Sequence, residues 1–245
     1  MHTMSSVDGG VLAGRTTLVT GASRGIGRAV AARFREAGAW VAMVARGEAA
    51  LRAAAEEVDG HAVPADVSDA GSVHRLAAYL DEVLGGEAPD IVVNAAGAFE
   101  LAPLAETDPE SFDRHLAVNL RAPFLVIRAF LPAMLERGSG HVVTLGSVAG
   151  RQAFPHNGAY SASKFGVRGL HAVLDAELRG TGVRSTLVEP AATDTPLWDA
   201  IDFARHPGLP PREAMLSPDA VADAVVYAVT RPPEVDVRTI RIERV

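Results

Sequence analysis

Tyr160 and Lys164 stand four residues apart at the start of a segment with helical patterning, which puts them on one face, one turn apart. An unperturbed tyrosine ionises near ~10 and holds its proton too tightly for easy exchange at neutral pH. A neighbouring ammonium favours the phenolate and lowers that value, so the pair suits general acid or base work. Ser147 closes the strand-like run before them, in Gly146-Ser147-Val148-Ala149. Its hydroxyl is suited to steady a substrate oxygen beside Tyr160. Lys164 is also the only lysine among 23 basic residues, the rest being arginine. A compact ammonium, rather than a planar fork, is what this position keeps. Taken alone, such a pair is more often an ordinary surface contact.

The elements that must position these groups alternate along the chain. Strand-like runs fall at Thr17–Thr20, Trp40–Ala45, His61–Ala65, Ile91–Asn94, His141–Leu145, Arg184–Glu189 and near Val237–Ile242. Helical patterns lie at Ile26–Ala37, Glu48–Val58, Gly71–Leu84, Pro109–Leu135, Ala159–Arg179 and Pro218–Thr230. Continuously apolar strands between helices predict one α/β domain: a doubly wound parallel sheet of seven strands with helices on both faces. The domain is expected over 14–245, after a flexible tail of residues 1–13. The longest irregular segment, 191–217, follows the carboxyl end of a strand, where open α/β sheets bind ligands.

After the first strand comes Thr20-Gly21-Ala22-Ser23-Arg24-Gly25-Ile26-Gly27. Glycines permit a sharp turn from strand to helix and a close backbone approach to a pyrophosphate. The helix start adds free N–H groups and a positive dipole end. The spacing is not the usual G-x-G-x-x-G, and a glycine turn that merely packs helix on strand remains open. The second strand ends Val44-Ala45-Arg46, without the acid that would hold a ribose 2′-hydroxyl. Arg46 and Arg24 together suit a 2′-phosphate, which favours NADP(H) over NAD(H). The alternative is that Arg46 is a solvated charge at a helix start.

Composition excludes several classes. The net charge is −7, against the basic face that nucleic-acid binding needs. There is no cysteine, so no disulfide, thiolate catalysis or cysteine-held metal. The eight histidines are scattered and form no H-E-x-x-H pair, so no metal site is expected. The polar start reads as no signal peptide, and no apolar run reaches the ~18 residues that span a bilayer. The cytoplasm is the expected location.

Thr20–Gly27, Asn94-Ala95-Ala96-Gly97, Asn119, Ser147 and Tyr160-Ser161-Ala162-Ser163-Lys164 come in the order and at the intervals of one family. From Gly14 to Val245 the chain closely resembles the compact form of the short-chain dehydrogenase/reductase family, a Rossmann-type fold, and its NADP-preferring branch. The resemblance implies that Tyr160 exchanges the proton at the reacting oxygen and that Ser147 hydrogen-bonds that oxygen. It implies that Lys164 lowers the tyrosine pKa and holds the nicotinamide ribose. Asn119 would interrupt its helix and anchor a water linking Lys164 to solvent. Gly21, Ser23, Arg24, Gly25, Ile26 and Gly27 would cradle the phosphates. Asp66 and Val67 would meet the adenine, while Asn94, Ala95 and Gly97 would support the sheet and the adenosine ribose. Pro190 through Thr195 would cover the nicotinamide, with the Thr193 backbone and Thr195 hydroxyl near its carboxamide. The family usually has Pro-Gly after the sixth strand, where this chain has Pro190-Ala191; alanine resists positive φ, so the loop is expected to leave Pro190 differently.

The expected activity is NADP(H)-dependent hydride transfer between a carbonyl and a secondary alcohol. Residues 99–105, 151–157 and 193–216 are the candidates for substrate selection. Leu197, Trp198, Ile201, Phe203, Leu209 and Met215 in the last could shape an apolar pocket, or equally close over the cofactor or meet another subunit. Arg151, Arg205 and Arg212 could greet an anionic substrate, but read more simply as solvated charges. A 3-oxoacyl-thioester reductase is an alternative, though the branch acting on acyl carrier protein ends in a glycine-rich segment this chain lacks. A non-catalytic cofactor sensor or scaffold would show a degraded Ser-Tyr-Lys set, and this one is intact. An isomerase or dehydratase on this fold is usually longer. Helices over 109–135 and 159–179 are expected to build a homotetramer or homodimer, as in the family.

Overall fold

The computed structural model describes residues 9–245. Seven strands form one parallel sheet: β1 Thr16–Thr20, β2 Trp40–Ala45, β3 His61–Pro64, β4 Ile91–Asn94, β5 Gly140–Leu145, β6 Val183–Pro190 and β7 Thr239–Ile242. Their order is β3-β2-β1-β4-β5-β6-β7. The helices are α1 Gly25–Glu36, α2 Glu48–Val58, α3 Ala70–Val83, α4 Pro109–Leu116, α5 Ala122–Arg137, α6 Gly158–Glu177 and α7 Pro218–Val229.

The apolar strands explain the layering. Along β2, Val41 and Met43 enter one core with α1, α2 and α7, while Ala42 and Val44 enter the other with α3, α5 and α6. Phe34 and Leu18, one in each core, are fully buried, and burying such a side chain contributes about 1.5–3 kcal/mol. The strand order reverses between β1 and β4, and the crevice opens at their carboxyl ends. The glycine turn and Asn94–Gly97 both leave the sheet there.

Two sequence expectations are corrected. The helix expected without a break over Pro109–Leu135 is divided by a wide π turn, Ala117–Arg121, centred on Asn119. By composition the run Pro109–Arg137 is apolar and long enough to cross a membrane, yet half of its most apolar stretch is buried inside the protein, as in a core helix. The tail expected over 1–13 is shorter among the described residues. Leu12 is buried in the core and its N–H donates to the Ala37 carbonyl at 2.8 Å; residues 1–8 lie outside the described part.

Candidate active site

β1 ends at Thr20, whose side-chain oxygen accepts from the Ala95 and Ala96 N–H groups at 3.1 and 3.2 Å. This ties the glycine turn to the segment after β4. Gly21 sits at φ +67°, and a Cβ there would lie 2.7 Å from Ala96 Cα. A Cβ on Gly27 would lie 2.4 Å from the Gly21 carbonyl oxygen, so α1 packs against the turn only without a side chain. Arg24 precedes α1 in extended conformation, with no side-chain cap and no acid in the first turn. The helix therefore keeps its free N–H groups and positive end for an outside anion.

Those groups face a cavity of about 340 Å³ lined by Gly21, Ser23, Arg24, Gly25, Ile26, Gly27, Arg46, Asp66, Val67, Ala95, Gly97 and Thr195. Arg24 and Arg46 are exposed on its rim. Neither side chain makes a hydrogen bond or close ion pair among the described residues. Burial pushes the Asp66 carboxyl up, but bonds from the Ser68 hydroxyl and N–H, with the Arg46 charge, outweigh it and hold the group below its ordinary value. Asn94 does not reach this cavity. Its amide is buried at the end of β4, and neither its nitrogen nor its oxygen has a protein partner.

A second cavity, about 450 Å³, shares Ile26, Ala95, Gly97, Thr195 and Leu197 with the first and continues the cleft over β5 and β6. Ser147, Tyr160, Lys164, Pro190 and Thr193 line it. β5 delivers Ser147 just past its end, and α6 delivers Tyr160 and Lys164 from its first two turns. Lys164 is buried, its Nζ donates to the Leu145 carbonyl at 2.7 Å, and it lies 5.6 Å from the centre of the Tyr160 ring. Burial lowers the Lys164 ammonium to about 8. Tyr160 moves the other way: burial raises it, and a hydrogen bond with the Ser147 side chain offsets that only in part. The expected lowering of Tyr160 by Lys164 is not found within the polypeptide: desolvation raises the phenol and Ser147 is what opposes it. At neutral pH the phenol holds its proton and the ammonium is largely charged.

Asn119 is buried in the π turn, but it does not touch Lys164. Its Nδ2 donates to the Ala98 carbonyl and the Ser163 hydroxyl, both at 2.9 Å, and its Oδ1 accepts from the Ala98 N–H at 2.8 Å. Ser163 in turn donates to the Tyr160 carbonyl at 2.6 Å. Asn119 therefore clamps residue 98 to the helix that carries the tyrosine. After Pro190, Ala191 avoids positive φ and donates from its N–H to Ile242 in β7 at 2.8 Å. The loop stays sheet-like for one more residue before turning.

Three loops wall the second cavity. The 191–217 loop is closed at its base by Asp194 N–H to Leu216 and Leu216 N–H to Ala192, at 2.8 and 2.9 Å. Of its apolar residues, Leu197, Trp198 and Leu209 line the cavity, Met215 is buried and Phe203 packs behind Trp198. Ala102 N–H bonds the His156 carbonyl at 2.9 Å, joining the 99–105 and 151–157 loops. His156 and His206 meet through their Nδ1 atoms at 3.2 Å, joining the latter to the long loop.

Sequence reasoning held Phe99 only as part of the 99–105 range, with no role of its own, and missed His115. The Phe99 ring meets Tyr160 edge-on, centroids 4.9 Å apart. His115 is fully buried behind them; Nε2 accepts from the Glu100 N–H at 3.1 Å and Nδ1 faces the Ser111 carbonyl at 2.7 Å. Its place four residues before Asn119, on the same helical face, was the available signal.

The model of the family described as short chain dehydrogenase matches residues 15–205. A glycine betaine reductase of Emericella nidulans is 37% identical over 98% of this chain, which spans 19% of that protein's length. An oxidoreductase of Staphylococcus epidermidis is 33% identical, covering 94% of this chain and 97% of its own. The crystal structure of a metagenomic short-chain oxidoreductase in complex with NADP superposes with a TM-score of 0.81 at 33% identity, over 96% of this chain and 99% of that one. With the seven-stranded sheet and the cleft above it, these matches establish that this chain belongs to the short-chain dehydrogenase family and is an NAD(P)-dependent oxidoreductase acting on CH–OH or C=O groups.

Proposed function

We propose that the protein reduces a carbonyl compound to an alcohol at the expense of NADPH. The observation that carries this reading is one continuous cleft with two different ends. At one end Arg24 and Arg46 stand without a side-chain hydrogen bond or close ion pair among the described residues, beside free helix N–H groups; at the other stand Ser147, Tyr160 and Lys164. Two guanidiniums suit the extra phosphate of NADP, and the NADP complex of a similar oxidoreductase supports the choice. Gly21 through Gly27 would hold the pyrophosphate, Arg24 and Arg46 the 2′-phosphate, and Asp66, Val67, Ala95 and Gly97 the adenosine. Pro190, Thr193 and Thr195 would flank the nicotinamide, which when bound supplies the hydride.

Ser147 and Tyr160 would hold the substrate oxygen between two hydroxyls. Tyr160 gives its proton to that oxygen as the carbonyl carbon is reduced, and the raised phenol value keeps the donor loaded. Lys164, charged below about 8, stabilises the phenolate left behind. Asn119, bonded to Ala98 and Ser163, positions the tyrosine helix and does not touch the reacting atoms. Exposed Phe112, Phe124, Phe165 and Val173 on α4–α6 support assembly as a homodimer or homotetramer.

The test is reduction with NADPH carrying deuterium at both positions of the nicotinamide C4. Transfer of one deuterium to the product's carbinol carbon, with a proton from water on its oxygen, is expected. Product formed without label would overturn the direct hydride step.

A further inference from the structure

We propose that the substrate is an uncharged carbonyl compound bearing a flat aromatic group, and that Phe99 and Trp198 select it. This rests on the carbonyl-reductase reading above and names the substrate class for the same site.

Beside Ser147, Tyr160 and Lys164 the second cavity is lined by Phe99, Leu101, Phe154, Trp198, Leu209 and Pro210, with the charged residues Glu243 and Arg244 also on its wall. The rings run outward from the reacting centre without a break. Phe99 stands edge-on to Tyr160 at 80°, and its centroid is 4.7 Å from that of Trp198. Trp198 packs 6.0 Å from Phe203 behind it. The indole N–H is already used, donating to the Thr193 carbonyl at 3.0 Å. Trp198 thus presents an apolar ring and asks for no polar partner from a ligand.

This wall is fixed in advance. The residue before Phe99 is held from both its N–H and its carbonyl by Asn119. The residue after it, Glu100, is held by His115 through its N–H and by Ser111 and Arg114 through its carboxylate. A ring carried between two anchored neighbours keeps its pose, and preorganised aromatic faces and edges favour an aromatic ligand.

Charge decides against an acidic substrate. Each arginine that could meet one is spent. Arg151 pairs with Glu189 at 3.1 Å, Arg205 with Asp202 at 3.3 Å, and Arg212 with Asp194 and Asp199. Arg244, the only arginine lining this cavity among the described residues, donates to the Glu213 and Met215 carbonyls and has Glu243 beside it. Arg24 and Arg46 make no side-chain hydrogen bond or close ion pair among the described residues, whereas every other arginine named here makes one. A carboxylate brought against this wall would be desolvated without a partner.

The experiment measures kcat/KM for NADPH oxidation by the full chain with acetophenone, cyclohexyl methyl ketone and benzoylformate, alongside NADPH binding by fluorescence. These probes separate planarity from size, and charge from ring. Acetophenone is expected to exceed each of the others by roughly tenfold or more. Phe99→Leu and Trp198→Ala are each expected to lower the acetophenone value by roughly 10–100-fold, mainly through KM, and Phe99→Leu, which holds no residue of the cofactor end, to leave NADPH affinity unchanged. A preference for benzoylformate or the cyclohexyl ketone overturns the proposal, as does an aryl-to-cyclohexyl ratio unchanged in both variants. So does NADPH binding with no reduction of acetophenone. Absence of NADPH binding overturns the underlying reading as well.

Discussion

Lys164 sets its ammonium nitrogen 5.6 Å from the centre of the Tyr160 ring while donating to the β5 backbone at Leu145. Both groups sit where burial moves them toward their neutral forms. For the tyrosine that keeps a proton in place; for the lysine it brings deprotonation down to about 8.

A pH dependence follows. Reduction should lose kcat/KM as pH rises through about 8, where Lys164 loses its charge. The folded value lies below the unfolded value of ~10.4, so the unfolded chain binds more protons between them. The charged lysine therefore costs stability below about 8, and this cost fades as pH rises toward the unfolded value. A pH–rate profile and Tm series on wild type and Lys164→Met check both; a wild-type rate flat from pH 7 to 9.5 contradicts the assignment.

Tyr160→Phe keeps the ring against Phe99 and removes the proton. We expect kcat to fall by about 10²–10⁴-fold with NADPH affinity intact, measured by turnover and fluorescence titration on one preparation. Turnover near the wild-type rate is incompatible with the donor role.

His115→Leu removes a fully buried side chain that accepts from the part-buried Glu100 N–H and meets the part-buried Ser111 carbonyl. Each unsatisfied group costs about 1–3 kcal/mol, so Tm should fall. KM for the carbonyl should rise through the loosened Phe99 loop while NADPH Kd stays the same. Equal loss of both affinities would point to general unfolding instead.

Much of this fold is legible in the sequence because the strands are apolar throughout and separated by helical periods. Trp40–Ala45 and Ile91–Asn94 fall where the pattern places them. The motif residues are brought together because they sit at strand ends and helix starts, which topology carries to one edge of the sheet. What periodicity misses is local or long-range. The π turn at Ala117–Arg121 preserves the apolar face while changing the pitch, so composition reads straight through it. Phe99 and Trp198 lie 99 residues apart in loops, and nothing in their spacing says that the rings touch. The tyrosine's raised value arises from enclosure by several elements, which a Tyr-x-x-x-Lys spacing cannot report.

The cofactor assignment depends on Arg24 and Arg46, which line the first cavity and make no side-chain hydrogen bond or close ion pair among the described residues, Arg46 acting on Asp66 through its charge alone. Arg46→Asp should weaken NADPH binding by roughly 10–100-fold, the worth of a charge-assisted bond, and leave NADH nearly unchanged. Equal weakening of both cofactors would assign Arg46 a structural role only.

The most direct measurement is a fluorescence titration of the purified wild-type chain with NADPH and with NADH at fixed ionic strength. The account predicts saturable NADPH binding at least roughly tenfold tighter than NADH, the difference expected from about 1.4 kcal/mol of phosphate contact. NADH binding as tightly as NADPH, or neither binding, would contradict it.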